Sequence, residues 1–267
     1  MLNSETTVEK NLAKFDKRLI TWGKRIGKRD SEEGILLEGI KLIEEALNIG
    51  HPLTRVWYTI AFKYANMGVV ARIIDSGCEV KPVTQRLMKS ISEMDTPPGI
   101  VAVAPQPGFI YRKPEDSFSL VVAISRIQDP GNLGGVIRTA DYFGVDEVWL
   151  GPGSVDPYSP KVLRGSMGAA FRIPVLKRGD LLERLRQFRQ QDTEIWAAVA
   201  HGDNVETKIT GSGSRILLIG SESEGLSEKY LELADKQVSI PGARRSESLN
   251  LAVAAGILIY SATTGRY

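Results

Sequence analysis

From Ser119 to Ala262 the chain alternates short, continuously apolar runs with helix-period segments, and nothing else in it constrains the fold as strongly. SLVVAISRI (119–127), EVWL (147–150), EIWAAVA (194–200), RILLI (215–219) and QVSI (237–240) read as strands. Residues 132–143, stopped by Gly144, then 181–190, 227–234 and 249–262 read as helices. Strands that are apolar at successive positions have no face to give to water. They belong in a parallel sheet whose two sides are covered by crossover helices. The spacing therefore predicts an α/β fold for this half.

The first third carries a smaller version of the same alternation. Apolar residues at 36, 40, 43 and 47 predict a helix over Leu36–Leu47. Arg55–Ile60 reads as a strand, Tyr64–Asp75 as a helix stopped by Gly77, and Cys78–Val83 as a second strand. Thr84 is placed to cap a short helix, and IVAVA (100–104) is a third strand. Pro105, Pro107, Gly108 and Pro114 punctuate 105–117, which reads as a linker between a first domain (1–104, core about 32–104) and a second (118–267). At 267 residues, two domains agree with the usual size of about 150 residues each. Each can bury a core without disulfide or metal support.

Ligands of parallel sheets bind beyond the carboxyl ends of the strands. Three glycine-containing loops follow predicted strands there: DPGNLGG (129–135), GSESEGLS (220–227) and IPGARRSESLN (240–250). The first lacks the G-x-G-x-x-G of a dinucleotide site. The second has Gly220, Gly225 and Ser227 at P-loop positions, but Leu226 stands where the phosphate-binding lysine is needed. Glu222 and Glu224 add negative charge where a triphosphate would lie. Glu222 also occupies the serine position of a nucleophile elbow. These loops disfavour a nucleotide-dependent dehydrogenase or kinase and suit a ligand without phosphates, a cationic one included.

Composition narrows the chemistry further. The single cysteine, Cys78, and the two histidines, His51 and His201, leave neither a disulfide nor a His- or Cys-built metal site, so no metal is expected. Met1–Lys10 mixes both signs of charge and does not look like a secretory signal. The longest apolar stretch, Leu251–Tyr260, is far short of the ~20 residues of a membrane span. A cytoplasmic protein with no membrane partner is expected. Net charge is only +2, yet Lys10, Lys14, Lys17, Arg18, Lys24, Arg25, Lys28 and Arg29 face four acidic residues within 1–30, a local excess of four. That stretch is either a solvated helix face or an arm for phosphates.

Taken together, DPGNLGGVIRTADYFGVDEVWL (129–150), LLIGSESEGLS (217–227) and SIPGARRSESLNLAVAAG (239–256) resemble the three motifs of the SpoU-family RNA ribose 2′-O-methyltransferases, in the family's order. SMGAAFRIPV (166–175) is similar to the family's intermediate segment, and 32–104 is similar, less specifically, to its ribosomal-protein-like substrate-binding domain. The resemblance implies a SPOUT catalytic domain with a deep trefoil knot, S-adenosyl-L-methionine as methyl donor, a homodimer, and an RNA substrate. Ribosomal RNA is the first expectation. Transfer RNA, or a non-catalytic RNA-binding role in ribosome assembly, is the alternative.

Carried over position by position, Gly220, Ile240 and Leu249 match the family's donor contacts, and Asn132, Arg138, Glu222, Ser248 and Asn250 its catalytic positions. Read only as residues, Asn132 and Ser248 would be helix caps, Arg138 the partner of Asp141 in an ion pair three residues along a helix, and Glu222 a solvated turn residue. Motif three departs from the family pattern, with Gly242 where a methionine is usual and Arg244 where a glycine is usual, followed by Arg245. The two arginines read as surface residues or as RNA contacts. Because arginine holds its proton too tightly to act as an easy base, Arg138 is expected to clamp ribose and phosphate, and the proton acceptor stays open.

Overall fold

A computed structural model describes residues 34–177, 179–191, 193–200, 213–242 and 249–264. The basic stretch Lys10–Arg29, His201, Arg244, Arg245 and Ser248 lie outside the described residues. The chain divides into two compact units, residues 1–107 with 158–160 and residues 108–157 with 161–267.

The first unit runs β1 (Ile35–Glu38), α1 (Ile40–Asn48), β2 (Arg55–Thr59), α2 (Ile60–Ala65), α3 (Met67–Asp75), β3 (Glu79–Val83), α4 (Gln85–Ile91) and β4 (Ile100–Ala104). Its sheet has the order β1-β4-β2-β3, with β4 antiparallel to both neighbours and β2 parallel to β3. The predicted helix over Leu36–Leu47 is therefore corrected. Leu36 and Leu37 pair with Val103 and Ala102 and are buried in the sheet. Gly39, at φ +94°, then breaks the backbone before α1 begins. The period-matched positions 40, 43 and 47 belong to that helix; Leu36 fell in register with them by chance. The helix predicted over Tyr64–Asp75 starts earlier and breaks at Asn66, whose amide donates to the Phe62 carbonyl at 3.1 Å and closes α2. Thr84 caps α4 as predicted, accepting from the Leu87 N–H at 3.2 Å.

The second unit contains β5 (Val121–Ile124), α5 (Pro130–Tyr142), β6 (Glu147–Leu150), α6 (Pro160–Ser166), a 3-10 turn (Ala169–Phe171), β7 (Val175–Leu176), α7 (Leu181–Arg189), β8 (Glu194–Ala198), β9 (Arg215–Ile219), α8 (Glu228–Leu231), β10 (Lys236–Val238) and α9 (Leu251–Thr263). All five strand pairings of its sheet are parallel, in the order β10-β8-β9-β5-β6-β7. This is the α/β class that the apolar runs predict. Every residue of β5, β6 and β9 is buried, including Glu147 and Arg215. Glu147 accepts from the Trp149 indole two residues on, at 2.6 Å, on the same face of the strand. It also accepts from the Arg112 backbone at 2.7 Å, while the Arg112 guanidinium pairs with Asp146 at 2.8 Å. Arg184 lies over the Trp149 ring at 4.3 Å and donates to the Arg112 carbonyl at 2.7 Å. Residues 111–117 of the linker segment are thus tied to the amino-terminal edge of this sheet.

Two glycines set how closely the helices pack. A Cβ on Gly134 would lie 2.8 Å from the Gly165 backbone, so α5 and α6 touch main chain to main chain. A Cβ on Gly135 would lie 3.3 Å from that of Ala252, where α5 meets α9. At the other end of that contact, the Phe143 and Tyr260 rings sit 5.8 Å apart.

Candidate active site

The site is built at the carboxyl ends of β5, β9 and β10. After β5, Asp129 caps α5 by accepting the Asn132 N–H at 2.8 Å. Asn132 itself is not the cap, so its side chain is released for other work. Its amide Nδ2 donates to Glu222, and its Oδ1 accepts from the Asn250 amide at 2.9 Å. Asn250 is in turn the cap of α9, its Oδ1 accepting the Ala252 and Val253 N–H groups at 3.0 and 3.3 Å. One chain of hydrogen bonds therefore runs from the first turn of α9 through Asn250 and Asn132 to the Glu222 carboxylate. It joins residues 90 and 118 positions apart in sequence.

Glu222 stands in a tight turn after β9. Ser221 and Gly225 exchange both backbone hydrogen bonds, at 2.9 and 3.1 Å, and the Ser221 hydroxyl accepts the Glu224 N–H. Gly220, buried at the entrance, fits only because it has no side chain. A Cβ there would stand 2.2 Å from the Gly225 carbonyl carbon. Gly225 takes φ +67°, which closes the turn. Ile240, half-buried, follows β10. Leu249 is half exposed beside Asn250.

These groups suit a sulfonium donor better than a phosphate ligand. Glu222 contributes a negative charge, Asn132 and Asn250 contribute neutral amides, and the Gly220–Gly225 turn leaves a close-packed main-chain cradle. Among the described residues no lysine hydrogen-bonds to this cluster. Among the described residues no group of three His, Cys, Asp or Glu side chains could hold a metal ion.

Arg138 lies elsewhere on α5. Six residues beyond Asn132 turn the side-chain direction by about 240° and advance it about 9 Å along the helix. It is exposed and lines a groove of about 410 Å³ with Tyr142, Ser166, Met167, Asp141 and Arg172. The ion pair expected between Arg138 and Asp141 is not formed. Asp141 is held instead by Arg172, whose Nε and Nη2 reach Oδ2 at 3.0 and 2.7 Å. Burial pushes the Asp141 carboxyl above the ordinary aspartate range. Arg172 reaches it from the end of the 3-10 turn, whose entry through Met167 (φ 52°) and Gly168 (φ 82°) is left-handed, a costly conformation for methionine. Nothing in the sequence of the 166–175 segment marks Arg172 for a role. No local spacing reveals a partner 31 positions away.

Comparison with known proteins agrees with this architecture. The SpoU rRNA methylase family model matches residues 119–260, and an MRM3-like substrate-binding domain matches 17–102. The chain is 34% identical over 234 residues to an uncharacterized tRNA/rRNA methyltransferase of Synechocystis, covering 88% of this chain and 85% of that protein. It is 30% identical over 235 residues to the 23S rRNA (guanosine(2553)-2′-O)-methyltransferase RlmP of Bacillus subtilis, covering 87% and 89%. Among solved structures, an S-adenosylmethionine-bound rRNA methyltransferase from Sinorhizobium meliloti superimposes with a TM-score of 0.75 at 29% identity, covering 91% of this chain and 93% of that one. The sheet, the three joined loops and the matched segments lead to one assignment: the chain belongs to the SpoU rRNA methylase family, with an MRM3-like substrate-binding domain preceding its catalytic domain.

Proposed function

We propose that this chain transfers the methyl group of S-adenosylmethionine to a ribose 2′-oxygen of ribosomal RNA, working in the cytoplasm as a homodimer whose carboxyl-terminal segment is knotted. The observation that carries the reading is the hydrogen-bond chain Asn250–Asn132–Glu222, which gathers all three motif loops at one end of the sheet. The named specificity of the Bacillus relative favours ribosomal over transfer RNA. The knot is favoured by the path of the chain. After the edge strand β10 it returns to the sheet centre, where α9 packs on α5 beside the motif-two turn.

Gly220, Ile240 and Leu249 would hold the donor, which supplies an electrophilic methyl on a sulfonium when bound. With the donor bound, its methyl would pass to the ribose oxygen as the carbon–sulfur bond breaks, and the hydroxyl proton would leave to solvent or a neighbouring RNA phosphate. In-line transfer needs alignment above all. Asn132, Asn250 and Ser248 orient donor and hydroxyl, and the Glu222 carboxylate fixes the Asn132 amide. Arg138 clamps ribose and phosphate as negative charge grows on the oxygen.

Arg138 points away from the amide cluster of its own protomer, so a second copy is the natural place for it to act. Val253, Ile257 and Tyr260 form an apolar stripe on α9, between 42% and 57% exposed. A second copy covering that stripe brings one protomer's Arg138 toward the other's donor site.

The test is calorimetry paired with a methyl-transfer assay. Arg138→Ala should bind S-adenosylmethionine normally and fail to methylate RNA; equal loss of both removes the clamp. Mapping 2′-O-methyl groups in cells lacking the gene should reveal one missing ribosomal methyl. A missing transfer-RNA methyl instead would reassign the substrate.

A further inference from the structure

Arg138 sits on α5 with a single carboxylate within one helical turn, Asp141, three positions on. Left alone, such a pair forms readily, although the order with arginine first is the weaker one along a helix. A paired Arg138 would meet an RNA phosphate with its charge already answered. In the structure Asp141 is taken by Arg172 through two guanidinium nitrogens, and no described residue pairs with Arg138. Arg172 and Asp141 are 35% and 22% exposed in their side chains, half-shielded enough for a two-point ion pair to outlast a single-point rival.

We infer that Arg172 is a positioning residue: by occupying Asp141 it keeps the Arg138 guanidinium unpaired and available to the substrate phosphate. The inference rests on the reading of Arg138 as the phosphate clamp. Three features of the groove agree with it. The segment that carries Arg172 to α5 enters its 3-10 turn through a strained methionine, Met167. Arg138, Arg172 and Asp141 together leave the groove one positive charge, which is Arg138's own. The adjoining surface is Tyr142, an exposed aromatic ring able to stack on a base next to the bound phosphate.

The experiment is a cycle of Arg172→Ala, Asp141→Asn and the double variant, with KM for RNA, kcat and donor affinity measured for each. Arg172→Ala should raise KM for RNA about twofold to fivefold, the range of one partly exposed ion pair redirected onto Arg138. Donor affinity should not change. Asp141→Asn alone should leave KM at or below the wild-type value, and adding Asp141→Asn to Arg172→Ala should restore it. A residue that only braces the turn would not be rescued by removing its partner's charge. An unchanged KM in Arg172→Ala, or a defect that survives in the double variant, overturns the inference. Full activity of Arg138→Ala would instead remove the reading beneath it, so the two failures are distinguishable.

Discussion

Gly220→Ala is the substitution whose cost the geometry defines best. The new Cβ would stand 2.2 Å from the Gly225 carbonyl carbon and 2.6 Å from both the Gly225 Cα and oxygen. Non-bonded carbons rest at about 3.5–4.0 Å, so the opposite side of the turn must retreat by about 1.3 Å or more. Those atoms are backbone, and no side chain can swing aside to absorb the shift. The two hydrogen bonds between Ser221 and Gly225 cannot survive a displacement of that size. At about 0.5–1.5 kcal/mol each, their loss destabilises the unit by about 1–3 kcal/mol. For a domain of this size that lowers Tm by about 2–10 °C. Glu222 rides on the same turn, so its bond with Asn132 should fail and the donor cradle should open. The expected result is at least a tenfold weaker affinity for S-adenosylmethionine by calorimetry, with the far-ultraviolet circular dichroism unchanged. Wild-type Tm together with wild-type donor affinity would refute the steric argument.

Three further outcomes are expected. Asn250→Ala removes both the cap of α9 and the link to Asn132, and should lower stability by about 0.5–2 kcal/mol in urea unfolding while abolishing methyl transfer. Val253→Arg with Ile257→Arg should convert a dimer to a monomer in sedimentation without unfolding it; a chain already monomeric before substitution would end the dimer reading. Glu194 tests a pH dependence. Burial alone would raise its pKa, but hydrogen bonds from Trp196 and Lys236 and the charges of Lys236 and Arg215 outweigh burial and hold it below the ordinary value of 4.5. A carboxyl depressed in the folded state adds stability above its unfolded pKa and loses it as pH falls through the folded one. Glu194→Gln should therefore unfold more easily than wild type at pH 7, and the two should converge in acid. Equal urea midpoints at pH 7 would show that the partly exposed carboxylate contributes nothing.

Most strands were legible because their longer apolar runs leave no face for water. IVAVA and RILLI form over the residues predicted, each buried throughout. Leu36 misled because a short strand and a helix share apolar positions over four residues, and only pairing with Val103 decides between them. In the site, Asn132, Glu222 and Asn250 were found through motif order, and the structure brings them into one hydrogen-bond chain. Asn132 could not be told from a cap until Asp129 was seen to hold that position. Gly134 failed a nucleotide fingerprint, and its work is to let α5 touch α6. Arg172 was invisible because its meaning depends on which of two arginines reaches Asp141, a competition settled in three dimensions.

The bond between Asn132 and Asn250 spans 118 residues. On a ribosome adding about 5–20 residues each second, the second amide emerges about 6–24 seconds after the first. During that interval β5 and β9 can pair, and Asn132 can reach Glu222, yet the cluster lacks its third member. The three loops are therefore joined only once α9 docks, and the hydrogen-bond chain closes at its Asn250 end last.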